Sequence, residues 1–178
     1  MHNVKGFSII ELMVTITIAG ILIAIAAPSF TQMIVKNQLR STSNELAEIS
    51  SVSRSEALKR NKSIVFCRAE NATAAVCKDG AHWEFWIIKQ NSSSTVEADV
   101  ISRGAINTYG GNLKVSTNNI NNSSINFGTD GLARSGAALL SNAQIVVCTT
   151  KSIAEPIRHI NLGAANQVTI TQHSGACQ

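Results

Sequence analysis

The sequence predicts an α+β chain: a long N-terminal helix, apolar in its first half and amphipathic in its second, packed on an antiparallel β-sheet head. Three observations predict it. The run from Phe7 to Ala27 is apolar except for Ser8, Glu11, Thr15 and Thr17. The stretch from Ser29 to Arg60 contains no glycine or proline and spaces its apolar residues at helical intervals. After Ser63 the apolar period falls to two, the period of a strand.

The apolar run comes first. About 21 residues at about 1.5 Å each reach roughly 32 Å, the thickness of one bilayer core. A secretory signal has an apolar stretch of about 7–15 residues followed by a small-x-small cleavage site. This stretch is longer, and it passes through Ala24, Ala26 and Ala27 into Pro28 and further helix-like sequence. The short start "MHNVKG" carries Lys5 and His2, which hold it on the cytoplasmic side. The polar remainder then faces the other side.

Within the run, Gly20 and Pro28 weaken the helix. Pro28 removes a backbone donor and crowds the carbonyl four residues earlier, so a kink near Ala24 or easy unwinding between Gly20 and Pro28 is expected. Ala19, Gly20, Ala24, Ala26 and Ala27 favour close approach of another helix. Glu11 is the anomaly. A carboxylate at mid-bilayer costs about 2.5–3.5 kcal/mol on insertion scales, and less near the interface. Such a residue asks for a cation from another chain.

The amphipathic half follows. Leu39, Leu46, Ile49 and Ala57 lie near one face, with Ser53 in the gap, and this stripe should lie on a sheet. "RNK", residues 60 to 62, ends the helix with basic side chains suited to its C-terminus.

The head reads as strands and turns. "SIVFC" and "HWEFWIIK" are β-branched or aromatic and alternate. Trp83, Phe85 and Ile87 are expected on one face, Trp86 and Ile88 on the other, as in a strand covered on both sides. Between these strands "RAENATAAVCKDGA" is a polar loop. "QNSSSTVEADV" is a loop feeding an edge strand, "YGGN" a turn, and "NNINNSS" a mobile loop. "SSINFGTDGLARSGAAL" gives a strand, glycine-rich turns and another short element. "QIVVC", "IRHINLG" and "NQVTITQ" are three successive strands.

Cysteine usage bears on compartment. Cys67, Cys77, Cys148 and Cys177 all lie outside the apolar run, an even count that fits two disulfides in an oxidising space. Of three possible pairings, Cys67–Cys77 and Cys148–Cys177 each close a local loop. The chain-entropy model gives about 3 kcal/mol for each.

The composition excludes several functions. A net charge of +4 over 178 residues is mild, and no Lys/Arg block of nucleic-acid type occurs. "GTDG" lacks the Gly-Lys-Ser/Thr ending of a phosphate loop. No Gly-x-Ser-x-Gly elbow is present. His2, His82, His159 and His173 are scattered singly, and Asp79, Asp99 and Asp130 have no metal-binding spacing. No enzyme activity, metal or cofactor is expected. Arg54, Lys59, Arg60 and Lys62 read as a solvated helix end rather than a phosphate patch.

"KGFSIIEL", Lys5 to Leu12, resembles the type IV prepilin processing motif. The resemblance implies that a prepilin peptidase cuts after Gly6 and that the new N-terminus, Phe7, is N-methylated. It implies that Glu11 attracts the N-terminal amine of a neighbouring subunit during filament assembly. Gly20 and Pro28 then bracket a segment that can melt in the filament. The implied parts are a leader (1–6), a transmembrane and filament-core helix (7–28), its amphipathic continuation (29–62) and a β-rich head (63–178).

"SRSEALKRNKSIVFC", Ser53 to Cys67, is similar to the stretch that marks the GspH/FimT group of pilin-like proteins. Phe127 and Gly131 resemble that group's Phe-x-x-x-Gly feature. The implied function is a minor pilin in a priming or tip complex of a type IV pilus, supporting motility, adhesion or DNA uptake. Its partners are other minor pilins, the major pilin, the prepilin peptidase and the inner-membrane assembly platform. The implied location is a single pass in the inner membrane with the head in the periplasm, then the pilus tip. One alternative is a DNA-binding competence pilin. Such members carry Gly-Arg-x-Arg in a late loop, where this sequence has "LGAAN", Leu162 to Asn166, without either arginine. Nucleic acid is therefore not expected as a direct ligand, and the FimU-like branch of tip pilins is favoured. The other alternative is a pseudopilin of type II secretion.

Overall fold

The computed structural model describes residues 7–92, 97–165 and 167–177. Residues 1–6, with the expected cleavage residue Gly6, lie outside them, as does Asn166. The chain forms two compact units, residues 1–35 and 36–178.

Helix α1 runs from Ile9 to Arg60 and is continuous through Gly20 and Pro28. Glu11 in its first turn and Lys59 and Arg60 in its last complement the helix dipole. Its end is a Schellman motif. Asn61 takes the left-handed conformation (φ 51°), its amide donates to the Leu58 carbonyl, and the Lys62 amide donates to the Ala57 carbonyl. The stop thus depends on Asn61 as well as on the basic residues read from "RNK".

Within the second unit, Leu39, Leu46, Ile49, Ser53 and Ala57 are buried, the stripe expected from their spacing. Thr42, Ser43 and Ser50 are buried beside them. The polar positions cost little where they are bonded. Ser43 and Ser53 return their hydroxyls to the carbonyls four residues earlier, and Thr42 donates to the Asn107 carbonyl.

The head divides its strands between two antiparallel sheets. In chain order these are β1 (Ile64–Ala69), β2 (Phe85–Gln90), β3 (Val100–Ala105), β4 (Leu113–Asn118), β5 (Ser124–Phe127), β6 (Ala133–Ser135), β7 (Ala138–Leu139), β8 (Ala143–Thr149), β9 (Ile157–Leu162) and β10 (Val168–His173). The first sheet has the order β3-β2-β1-β5-β6-β7 and the second β10-β9-β8-β4. The Trp83 amide donates to the Val115 carbonyl at 2.8 Å and ties the segment before β2 to β4.

β2 is apolar on both faces, with Ile87 and Ile88 both buried. One face holds Val65, Cys67, Ala69 and Ile87, with Cys77 and Phe85 packed against them. The expected position of Trp83 is corrected. It lies before β2, and its ring meets Phe66 edge to face at 5.3 Å, while Trp86 meets Phe66 at 6.4 Å. Trp83 therefore joins Trp86 rather than Phe85 and Ile87, because strand alternation does not extend to a residue outside the strand.

One strand is added and one loop reading is corrected. β4 was not expected, although Leu113 and Val115 alternate with Lys114 and Ser116 and are buried. The "NNINNSS" segment takes a defined conformation where a structureless loop was expected. It contains a single turn, Asn121–Ser123, with Asn119, Asn122 and Ser123 at positive φ. Ser123 is buried and donates to Asp79 Oδ1 at 2.7 Å. The signal was present in the asparagines, which tolerate the left-handed region better than most residues.

Cys67 is bonded to Cys77 and Cys148 to Cys177, with Cα separations of 5.6 and 5.4 Å. The first bridge holds the loop after β1, where the Arg68 guanidinium donates to the His82, Lys78 and Asp79 carbonyls. The second ties the C-terminal tail to β8.

Candidate assembly site

The first unit offers an apolar rod with one charge. Phe7 and Ser8 precede α1, and the Leu12 amide donates to the Ser8 carbonyl at 3.1 Å. Residues 7–24 are exposed along their whole length, with Phe7 and Ile9 each 79% accessible. Thr15 and Thr17 satisfy their hydroxyls on the Leu12 and Met13 carbonyls. Glu11 differs. Among the described residues no cation pairs with it. Glu11 stands four residues after Phe7, in the first turn of α1.

Gly20 carries a second observation. A Cβ built there would meet nothing within 4 Å. Among the described residues nothing crowds that position, and a small residue there leaves room for close approach of another helix.

In the head, the basic helix end is largely engaged. Lys59 and Arg60 pair with Glu56, which holds the Glu56 carboxyl below its ordinary range through the Arg60 hydrogen bond. Lys62 donates to Gln90 Oε1 at 3.2 Å, and Arg54 donates to the Ala165 carbonyl at 3.3 Å. Ala164 accepts from the Ala133 amide at 2.9 Å. The late loop is thus held by the carbonyls of two alanines.

The turn after β5 explains Phe127 and Gly131. Phe127 is fully buried. Gly131 has φ +72°, and a Cβ there would lie 3.1 Å from Arg54 Nε and Leu58 Cδ2. Asp130 caps the turn by accepting from the Leu132 amide, and it pairs with Arg134, whose hydrogen bonds hold its carboxyl well below the usual carboxylate range.

One expectation about scattered residues is corrected. His159 on β9 and His173 on β10 are not isolated; their rings stack at 4.3 Å. Adjacent antiparallel strands bring together residues that sequence spacing keeps apart. Arg158, far from the helix in sequence, shares a cleft with Lys36 and Arg40. Here the fold returns β9 to the helix, a long-range pairing that spacing does not show.

Comparison with known proteins gives a consistent picture. The prokaryotic N-terminal methylation motif matches residues 1–27, and the family model described as type II transport protein GspH matches residues 42–173. Two curated relatives from Moraxella bovis, the type IV major alpha-pilin and fimbrial protein Q, are 51% and 49% identical over 47 residues. That segment is 26% of this chain and 30% of each relative, so the match spans less than a third of their length. Two crystal forms of the type IV minor pilin FimU of Pseudomonas aeruginosa share the fold, with TM-scores of 0.54 and 0.57 at 16% identity. They cover 78% and 80% of this chain and 97% and 95% of theirs. An exposed apolar helix opening on an N-terminal methylation motif, followed by a head that matches one family model through most of its length, makes this chain a type IV pilin-like protein of the GspH family.

Proposed function

We propose that the chain is a minor pilin that joins a priming or tip complex of a type IV pilus. A prepilin peptidase cuts between Gly6 and Phe7, and the Phe7 amine is methylated. Residues 1–6 are then the leader, 7–28 the membrane and filament-core helix, 29–62 its continuation and 63–178 the displayed head. Glu11 carries this reading. A lone carboxylate on an exposed apolar rod, without a cation among the described residues, is suited to the amine of a neighbouring subunit. Burial of the rod supplies affinity, and the charge pair sets register. Before assembly the protein sits in the inner membrane with its disulfide-bonded head in the periplasm. Gly20 and Pro28 bracket the segment that unwinds in the filament. Its partners are the major pilin, other minor pilins and the inner-membrane platform; the role is structural, not enzymatic.

Two measurements test it. Intact mass and N-terminal sequencing of the membrane-extracted protein should find a methylated Phe7; a start at Met1 or beyond Ala27 overturns the reading. Glu11→Gln should lower incorporation into fibres by roughly tenfold, the equivalent of about 1.4 kcal/mol. Incorporation equal to wild type removes the charge-pair mechanism.

The matched family model favours a second reading, a pseudopilin of type II secretion. The same helix physics serves both, and the pilin heads that co-purify from membranes separate them. A DNA-binding role has less support, because the late loop presents no cation and its carbonyls accept from Arg54 and the Ala133 amide.

A further inference from the structure

A cleft of about 510 Å³ opens in the head between α1 and the inner faces of β9 and β10. Lys36 and Arg40 reach it from the helix, Arg158 from β9, and Ile170 and Gln172 from β10. Among the described residues no acidic side chain lines it. Among the described residues no carboxylate lies within ion-pair distance of the three cations, and the one that acts on Arg158 electrostatically, Glu155, does not line the cleft. Arg158 is only 7% accessible, and its Nη1 donates to the Glu155 and Ile157 carbonyls, which fixes the guanidinium. Three like charges gathered on one concave surface repel one another and favour an anionic occupant.

The strand beside this cleft is also unusual. Exposed sheet edges are normally blunted by charges, proline, bulges or brevity. The β3 edge carries Arg103 and its pairing with β2 shifts at Ile88/Lys89; β7 has two residues; the β4 edge carries Lys114. β10 has none of these. Its six residues, "VTITQH", contain no lysine, arginine or proline and pair with β9 in unbroken register. Ile170 and Gln172 are exposed on its inner face, where the other strands of this sheet are covered.

These two observations meet in one geometry. We propose that β10 accepts an extended acidic strand from a partner protein, whose alternate side chains place carboxylates beside Lys36, Arg40 and Arg158. The added strand takes main-chain hydrogen bonds from the open edge, and the period of two gives the specificity. A nucleic acid is a poorer occupant, because among the described residues no aromatic side chain lines the cleft to stack a base. The site is separate from Phe7 and Glu11, and it serves a pilus or a pseudopilus equally.

The test uses the full chain in detergent micelles and two labelled peptides, Thr-Glu-Val-Glu-Val-Glu-Thr and its glutamine counterpart. The glutamate peptide should bind at least roughly tenfold more tightly. Its affinity should fall by a similar factor in Arg40→Glu and in Lys36→Glu. Both residues are exposed, so unchanged melting of the variants is expected. Amide exchange along Val168–His173 should slow when the peptide is bound. Equal binding of the two peptides, binding unaffected by both charge reversals, or unchanged exchange in β10 overturns the proposal. So does full displacement by millimolar inorganic phosphate, which would mark a small-anion site. Preference for a single-stranded oligonucleotide over the glutamate peptide also overturns it.

Discussion

His159 and His173 stack across neighbouring strands, with ring centroids 4.3 Å apart and planes inclined by 28°. His173 Nε2 also lies 2.9 Å from Thr171 Oγ1. The pair closes a polar row on the outer face of the second sheet, in which Gln144 Nε2 donates to Asn161 Oδ1 and Asn161 Nδ2 donates to Thr171 Oγ1.

This pair predicts acid sensitivity. Burial lowers the His159 pKa, and the adjacent His173 lowers it further. The unfolded imidazole titrates at about 6.5. The folded value is depressed, so the contribution is fully present above about pH 6.5 and is lost as pH falls through the lower folded value. The melting temperature should therefore decline between about pH 7.5 and 5. His173→Gln should flatten that decline, and an identical profile would exclude the coupling.

Gly131→Ala should destabilise the head by roughly 1–2 kcal/mol, the cost of a left-handed conformation for a residue with a Cβ. The new methyl would also press on Arg54 and Leu58. Urea unfolding of the variant measures it; no loss of stability would mean that the turn relaxes freely.

Phe66 stands between Trp83 and Trp86, the chain's only two tryptophans. Phe66→Ala should cost about 3–5 kcal/mol and alter the tryptophan emission of the folded protein. Phe66→Leu, which retains most of the volume, should cost less and shift the same emission. Emission insensitive to both changes would contradict the packing.

Paired Cys148→Ser and Cys177→Ser changes should remove about 3–4 kcal/mol on the chain-entropy model, given the sequence separation of 29. Calorimetry should find the melting temperature lowered, and protease should cut first within the tail after β10. A tail that stays protected without the bridge would show that packing alone secures it.

Much of this architecture was legible in the residues. The burial stripe through Leu39, Leu46, Ile49 and Ala57 follows from helical spacing, and β1, β2, β8, β9 and β10 follow from β-branched alternation. Less legible was whatever rests on long-range pairing. The two-sheet division, the position of Trp83 against Phe66 and the meeting of Arg158 with Lys36 and Arg40 arise from strand order, which carries no local signature. The asparagines around Asn121–Ser123 signal a turn, but polar, small residues look alike whether that turn is anchored or loose. Its anchor, Asp79, lies far away in the sequence.

The late loop is fastened through main-chain oxygens, at Ala164 to the Ala133 amide and at Ala165 to Arg54. Such moorings are blind to residue identity. Ala165, which is exposed, can be exchanged for a longer or charged side chain while both anchors persist, so this loop can vary its chemistry without loosening the scaffold beneath it.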